Sequence, residues 1–329
     1  MKQGKFTNTE LENLIFKRLT LQNPDTIVGA GVGEDCCAIR FGEDICVVST
    51  DPITAASSQA GVLAMHINAN DIASAGAIPI AALTTVLIPV DAKLETVETV
   101  VRQLADTAKQ LNIDITGGHT EVTESVNRIV VSVTMMGRPV IPGRIFRTAD
   151  MQVGDDIIMT KYAGMEGTSI LADDYATELR DILDEQDFVE LNMVRDGLSV
   201  LPDGLAAAKT EGVHAMHDIT EGGILGAVTE MCAAAGLGAV IDLSKVPVLP
   251  VTEKICTYYG LDVYGLISSG SMLIAAENGT EAIVELKKAG ISSVIVGKAT
   301  LPESGVVDEN GKLLTVYESD ELYKVVGRQ

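Results

Sequence analysis

The chain has 329 residues, 47% of them hydrophobic, and a formal net charge of −22. That length exceeds one ordinary core and predicts two domains, while the lack of an unbroken apolar run of about 18 residues predicts no membrane span. With no basic run and no aromatic-basic interleaving, the chain has no electrostatic basis for binding nucleic acid. A phosphorylated small molecule would be repelled too unless divalent cations came with it, so carboxylate clusters are the features to follow.

The N-terminus MKQGKFTNTELENLIF lacks the apolar stretch of a signal peptide and reads as a short glycine-containing arm entering a helix, which predicts a cytoplasmic protein. Cys36 and Cys37 are adjacent while Cys46, Cys232 and Cys256 are scattered, matching neither a disulfide framework nor a zinc spacing. CAIRF and ICVVST flank Gly42-Glu43-Asp44 and predict a hairpin. With its turn centred on Glu43, Cys37 faces Ser49 and Asp35 faces Asp51. Two opposed carboxylates destabilise a sheet unless a cation bridges them; a register shifted by one residue, or solvation of both at the open end, removes the conflict equally well.

Residues 59–75 predict a helix apolar nearly all round and therefore buried. Between Asp51 and Asp91 its Asp71 is the only formally charged side chain. A buried carboxylate must be hydrogen-bonded, paired or metal-bound. His66 and Asn70 share a face of this helix, flanked by Asn68 and Asp71; a core histidine satisfied by an amide explains His66 on its own. In NIDITGGHTEVT the first five residues read as a strand, Gly117-Gly118 as a tight turn, and His119, Thr120 and Glu121 as side chains presented beyond it. A plain Gly-Gly hairpin turn accounts for the same glycines. RIVVSVTMMG reads as the strand that closes the domain.

Pro-Gly punctuation in RPVIPGRIF sets the expected domains at 1–145 and 146–329. GMEGTSILADD reads as a glycine loop opening a helix, where Gly164, Gly167 and Thr168 can offer amides to an anion or simply connect strand to helix. Lys161 precedes it as a candidate phosphate contact. In HAMHDITEGGILGAVTEMCAAAG, Thr220 is the expected N-cap, Glu221 lies in the first turn, and Gly222-Gly223 admit another backbone or a ligand. Ser268, Ser269 and Gly270 suit a phosphate contact or an ordinary turn. The tail ESDELYKVVGRQ reads as peripheral.

GVGEDCCAI, VVSTDPIT, HINANDIASAGAIP, TGGHTE and HDITEGG together resemble the ordered motifs of the aminoimidazole ribonucleotide synthetase (PurM-like) superfamily. That superfamily includes the hydrogenase-maturation carbamoyl dehydratase HypE, thiamine-monophosphate kinase and selenophosphate synthetase, and the resemblance is strongest to the HypE-like members. It implies an α+β, two-domain fold: an N-terminal α/β domain whose sheet forms a barrel across a homodimer, and a C-terminal α/β sandwich domain. ATP and Mg2+ would lie along the domain interface. Carried over residue by residue, the resemblance makes Asp35, Asp51, Asp71 and Glu121 metal and phosphate-site carboxylates and adds Asp218 as an acidic residue facing the nucleotide. Asp71, Glu121 and Asp218 are thus the candidate catalytic residues. Thr50, Asn70, Gly117, Gly118, His119, Gly222 and Gly223 are candidate nucleotide contacts.

The departures are specific. The dehydratase ends in a cysteine-bearing tail, whereas this chain ends in VVGRQ and its last cysteine is Cys256. Selenophosphate synthetase carries a reactive cysteine near its start, and the first cysteine here is Cys36. Glu221 stands where the dehydratase usually shows arginine, and GGHTEVT lacks the fuller pattern of the true synthetase. The expected function is a Mg-dependent, ATP-binding enzyme that activates an oxygen of a small-molecule or protein-borne acceptor by phosphoryl transfer. The rivals are a nucleotide-binding maturation or regulatory protein and a small-molecule kinase of the thiamine-monophosphate kinase type.

Overall fold

The computed structural model describes residues 4–54, 56 and 58–326, and within them each half of the chain builds its own six-stranded sheet. The first half runs α1 (Asn8–Leu14), β1 (Thr26–Val28), β2 (Cys37–Phe41), β3 (Asp44–Ile53), α2 (Ala60–Ser74), β4 (Ala77–Pro89), α3 (Leu94–Gln110), β5 (Asp114–Thr123) and β6 (Val130–Pro139). Its sheet has the order β1-β2-β3-β6-β4-β5, with only β4 and β5 parallel, joined through α3. The second half runs β7 (Asp156–Thr160), α4 (Met165–Asp174), α5 (Ala176–Leu179), α6 (Glu185–Asp196), α7 (Leu201–Ala207), β8 (Val213–Asp218), α8 (Gly223–Ala235), β9 (Gly238–Ile241), α9 (Pro250–Tyr259), β10 (Met272–Ala276), α10 (Gly279–Lys288), β11 (Ser293–Thr300) and β12 (Val306–Asp308), in the sheet order β12-β9-β11-β7-β10-β8. No helix among the described residues is long and apolar enough to cross a membrane. The mixed two-domain α and β architecture matches the expectation, but neither sheet closes on itself.

Local sequence explains the main elements. Thr7 and Glu10 form a reciprocal capping box that starts α1. Helix α2 is apolar all round because it is covered all round: β3 and β6 pack on one side, α3 alongside, and α7 with β8 of the second half on the other. Asn70 fastens this junction, its Nδ2 donating to Leu198 O at 2.9 Å and its Oδ1 accepting from Val200 N at 2.8 Å.

Several expectations need correction. The β2–β3 turn has two residues rather than three, with Gly42 at φ 67° in its first position, so Cys37 pairs with Val48 and Phe41 with Asp44. That shift of one residue removes the predicted facing of Asp35 and Asp51. Gly117-Gly118 is no turn: β5 runs straight through it, with a bulge that leaves Thr116 outside the register. Gly118 sits at φ 146°, and a Cβ there would lie 1.8 Å from Thr84 O, so glycine is required by strand approach. Strand β6, expected to close the domain, inserts centrally between β3 and β4. The tail is not peripheral either; Asp320, Glu321, Leu322, Val325 and Val326 are buried, while residues 327–329 lie outside the described chain.

Replacing Asn70 with alanine strips two buried backbone groups of their partners. We expect Asn70→Ala to lose about 2–3 kcal/mol in denaturant unfolding. A loss below about 0.5 kcal/mol would mean that this amide is not what joins α2 to the segment before α7.

Candidate active site

Strand β3 turns Ser49 and Asp51 toward α2, and the last turns of α2 bring Asp71 and Ser74 to meet them. The Ser49 hydroxyl donates to Asp71 Oδ2, and Asn68 clamps the backbone of Asp51, accepting from its N–H at 2.8 Å and donating to its carbonyl at 3.3 Å. Asp71 is 4% exposed and forms no ion pair among the described residues. Burial first, then the charges of Asp218, Asp51 and Asp35, push its pKa well above the ordinary carboxylate range.

The second half supplies the other wall. Strand β8 ends on His217 and Asp218, both buried. His217 Nδ1 lies 2.7 Å from Asp35 Oδ2 and its Nε2 lies 3.1 Å from Glu230 Oε2. Burial opposes charge on this ring, but the two carboxylates outweigh it and hold the pKa well above the usual histidine value. Asp218 receives the Ser74 hydroxyl at 3.2 Å on Oδ1, while its Oδ2 is buried without a partner among the described residues. Burial and Asp35 push the Asp218 carboxyl up to about 7.

The N-terminal arm crosses this cluster. The Lys5 amide donates to Glu221 Oε1 at 3.0 Å and its ammonium lies 3.5 Å from Thr220 Oγ1. Desolvation works against that charge, but Glu230, Asp51, Asp35 and Glu221 raise its pKa above the ordinary lysine value. Beyond Lys5 and Asp51 opens a cavity of about 830 Å³, walled by residues 51–54, the β5–β6 connection, α4 and the C-terminal Tyr323.

The structure therefore gathers Asp35, Asp51, Asp71 and Asp218, and Asp35, His217 and Asp218 bring ligand atoms within 4.8 Å of one another. A hard cation such as Mg2+ fits the oxygen donors of this group, the orphaned Asp218 Oδ2 among them. His217 fits less well, because both ring nitrogens already face carboxylates; it orients Asp35.

Other predicted residues fall elsewhere. Thr50 points to the opposite face of β3, where its hydroxyl lies 3.0 Å from that of Thr134. Gly117, Gly118, His119 and Glu121 lie on the exposed edge strand β5, where His119 Nε2 and Glu121 Oε2 are 3.1 Å apart. Glu121 does not join its own chain's cluster. Asn70 holds backbone, as described. Lys161 is bound to Gly197 O at 3.0 Å and Ser199 O at 2.7 Å and pairs with Asp203.

The amides offered by the second half are also used internally. The N-cap of α8 is Gly222, not Thr220, because the chain turns through φ 87° there, and Gly222 N donates to Asp320 Oδ2 at 2.6 Å. Gly223 packs against the carbonyls of Tyr264 and Leu266. Gly164 N goes to Ser268 Oγ and Gly167 N to Ile267 O. His66 Nδ1 has no hydrogen-bond partner among the described residues, and burial with the nearby Lys161 charge pushes the ring's pKa down to about 4.

Sequence reasoning missed Lys5, Ser49, His217 and Glu230. Only His217, adjacent to Asp218, carried a local signal.

Two family models match the chain: AIR synthase related protein, N-terminal domain, over residues 33–138, and AIR synthase related protein, C-terminal domain, over residues 152–309. The chain belongs to the AIR synthase-related family. Among its relatives in that family are a putative hydrogenase expression/formation protein of Methanocaldococcus jannaschii, 28% identical over 93% of this chain and 91% of that protein, and the carbamoyl dehydratase HypE of Escherichia coli, 30% identical over 83% and 77%. A solved structure of hydrogenase maturation protein HypE in complex with ATP superposes with a TM-score of 0.70 at 18% identity, covering 97% of each chain. This AIR synthase-related protein is HypE-like, and the HypE likeness anticipated from its motifs stands.

The buried acids make stability depend on pH. The folded pKa values of Asp218 and Glu166, each about 7, and of Asp320, about 6, lie above the unfolded carboxylate value near 4, so the native state binds more protons. The raised His217 acts in the same direction. Stability in chelator should therefore fall by at least about 1 kcal/mol between pH 5 and pH 8. Denaturant unfolding that shows a rise over this interval would contradict the arrangement.

Proposed function

We propose that this chain is a Mg-dependent, ATP-binding enzyme that transfers a phosphoryl group to an oxygen of an acceptor. The observation that carries the reading is the convergence of Asp35, Asp51, Asp71 and Asp218 from both halves near one another, with Asp71 in no ion pair among the described residues. Such a cluster is costly unless a cation completes it. The ATP complex of the HypE structure and the carbamoyl dehydratase name of the Escherichia coli relative support the reading.

Magnesium bound there would neutralise the triphosphate and hold its oxygens for in-line attack. Asp35, Asp71 and Asp218 are the oxygen ligands we assign to it, with Asp51 beside them. His217 fixes the Asp35 carboxylate. Lys5 places an ammonium over the cluster, where a phosphate oxygen could replace its acidic neighbours. The adjoining cavity receives the acceptor.

The functional unit in this reading is a homodimer. Every residue from Asp114 to Glu121 is exposed and β5 is an edge strand, so its backbone is open to pairing. The uncovered face of the same sheet carries exposed Ile80, Leu83 and Ile115. A second copy docked on that face to form the barrel would also give Gly117, Gly118, His119 and Glu121 a nucleotide to contact, in the partner's site.

Phosphate release from Mg-ATP, measured with a panel of small-molecule and peptide acceptors, tests turnover. We expect release that requires magnesium and falls at least tenfold in Asp218→Asn. Magnesium-independent release, or equal rates in the variant, would overturn the assignment; binding of Mg-ATP without release under any condition would favour a nucleotide-binding regulatory protein.

A further inference from the structure

The acceptor end of the site contains two buried polar atoms that have no hydrogen-bond partner among the described residues. Glu166, in the first turn of α4, is 3% exposed, and Ser269, in the turn before β10, is 1% exposed; Glu166 Oε2 and Ser269 Oγ have no hydrogen-bond partner among the described residues. The Ser269 hydroxyl and amide lie close enough to draw the Glu166 pKa down against the larger effect of burial, yet they complete no hydrogen bond to Oε2 among the described residues. A first-turn carboxylate is favourable at a helix N-terminus. That does not account for burying one with a free oxygen, which costs about 1–3 kcal/mol unless something occupies it. Both residues line the 830 Å³ cavity that shares Lys5, Asp51, Thr220 and Glu221 with the carboxylate cluster region.

We infer that Glu166 and Ser269 form a subsite for a planar nitrogen cation, an amidinium or guanidinium group, carried by the acceptor. This rests on the phosphoryl-transfer reading above for the word acceptor, but the binding chemistry stands on the cavity itself. Two adjacent acceptor atoms, a carboxylate oxygen and a hydroxyl oxygen, match two N–H donors fixed in one plane. The charge of the walls selects the sign: among the described lining residues, Asp51, Glu124, Glu166 and Glu221 outnumber Lys5 and Arg128. Ile53, Ile67 and Ile267 supply apolar surface for the rest of the molecule. Burial, with a smaller contribution from Asp320, holds the Glu166 carboxyl up at about 7, so a cation that settles against it recovers part of that cost. The cavity is within the usual range for a small-molecule site of about 300–1,000 Å³.

The test is a titration of the full-length protein with three isosteric probes, benzamidine, benzamide and benzoate, followed by ligand-observed NMR at pH 8. Benzamidine should bind, benzoate should not, and benzamide should bind at least tenfold more weakly than benzamidine. Glu166→Gln should weaken benzamidine at least tenfold, and Ser269→Ala, a milder change that keeps the fold if Glu166→Gln does not, should weaken it several-fold. Equal affinity for benzoate, unchanged benzamidine affinity in a folded variant, or no binding of benzamidine to the wild type would each overturn the subsite. Mg-ATP binding measured on the same samples separates the two readings. Wild type that binds benzamidine but no Mg-ATP refutes the proposed function and leaves the cation subsite standing; wild type that binds Mg-ATP but no benzamidine does the reverse.

Discussion

Mutual repulsion among buried carboxylates is the constraint around which this fold is arranged. Asp71 is placed by α2, Asp51 by β3, Asp35 by the segment before β2, and Asp218 by the end of β8 in the other half of the chain. Asp218, Asp51 and Asp35 all raise the proton affinity of Asp71, and Asp35 and Asp51 raise that of Asp218. The protein compensates in part: Ser49 donates to Asp71, Ser74 to Asp218, and the His217 imidazole sits between Asp35 and Glu230. Among the described residues those hydrogen bonds leave Asp218 Oδ2 unmatched and Asp71 without an ion pair. The cluster thus retains an electrostatic cost that a bound cation would relieve.

The junction of the two halves is pinned by hydrogen bonds. Since the cluster draws ligands from both sheets, any slippage between them would scatter its oxygens. Asn70 ties α2 to residues 198 and 200, Lys161 ties the end of β7 to residues 197 and 199, and the tail inserts Asp320 at the start of α8. Asn70, Lys161 and Gly222, which sequence reading offered as nucleotide contacts, thus bond to other parts of the chain itself. The segments near the two ends add to the walls: Lys5 comes from the arm and Tyr323 from the tail, and both border the 830 Å³ cavity.

The sequence showed the chemistry more clearly than the geometry. One aspartate in a long uncharged run was enough to single out Asp71, and the ordered motifs identified Asp35, Asp51 and Asp218 and the family. Strand register was not legible, because a glycine turn of two or three residues reads alike and a single residue moves Asp35 out of line with Asp51. The Gly117-Gly118 pair looked like a turn because glycine signals close approach as well as reversal, and here the close neighbour is the Thr84 carbonyl. Lys5 and Glu166 gave no signal at all: a lysine in a polar arm and an acid in a helix's first turn are ordinary in sequence, and their meaning comes only from what folds against them.

The comparison of wild type with Asp71→Asn bears most directly on the central claim. The substitution keeps the shape, removes one charge from the repelling group and replaces a coordinating oxygen. The account predicts that the metal-free variant melts at the same temperature or higher, while its affinity for Mg-ATP, measured by calorimetry, falls at least tenfold. A variant that unfolds more easily yet binds Mg-ATP with wild-type affinity would show that Asp71 serves the fold and not the cation.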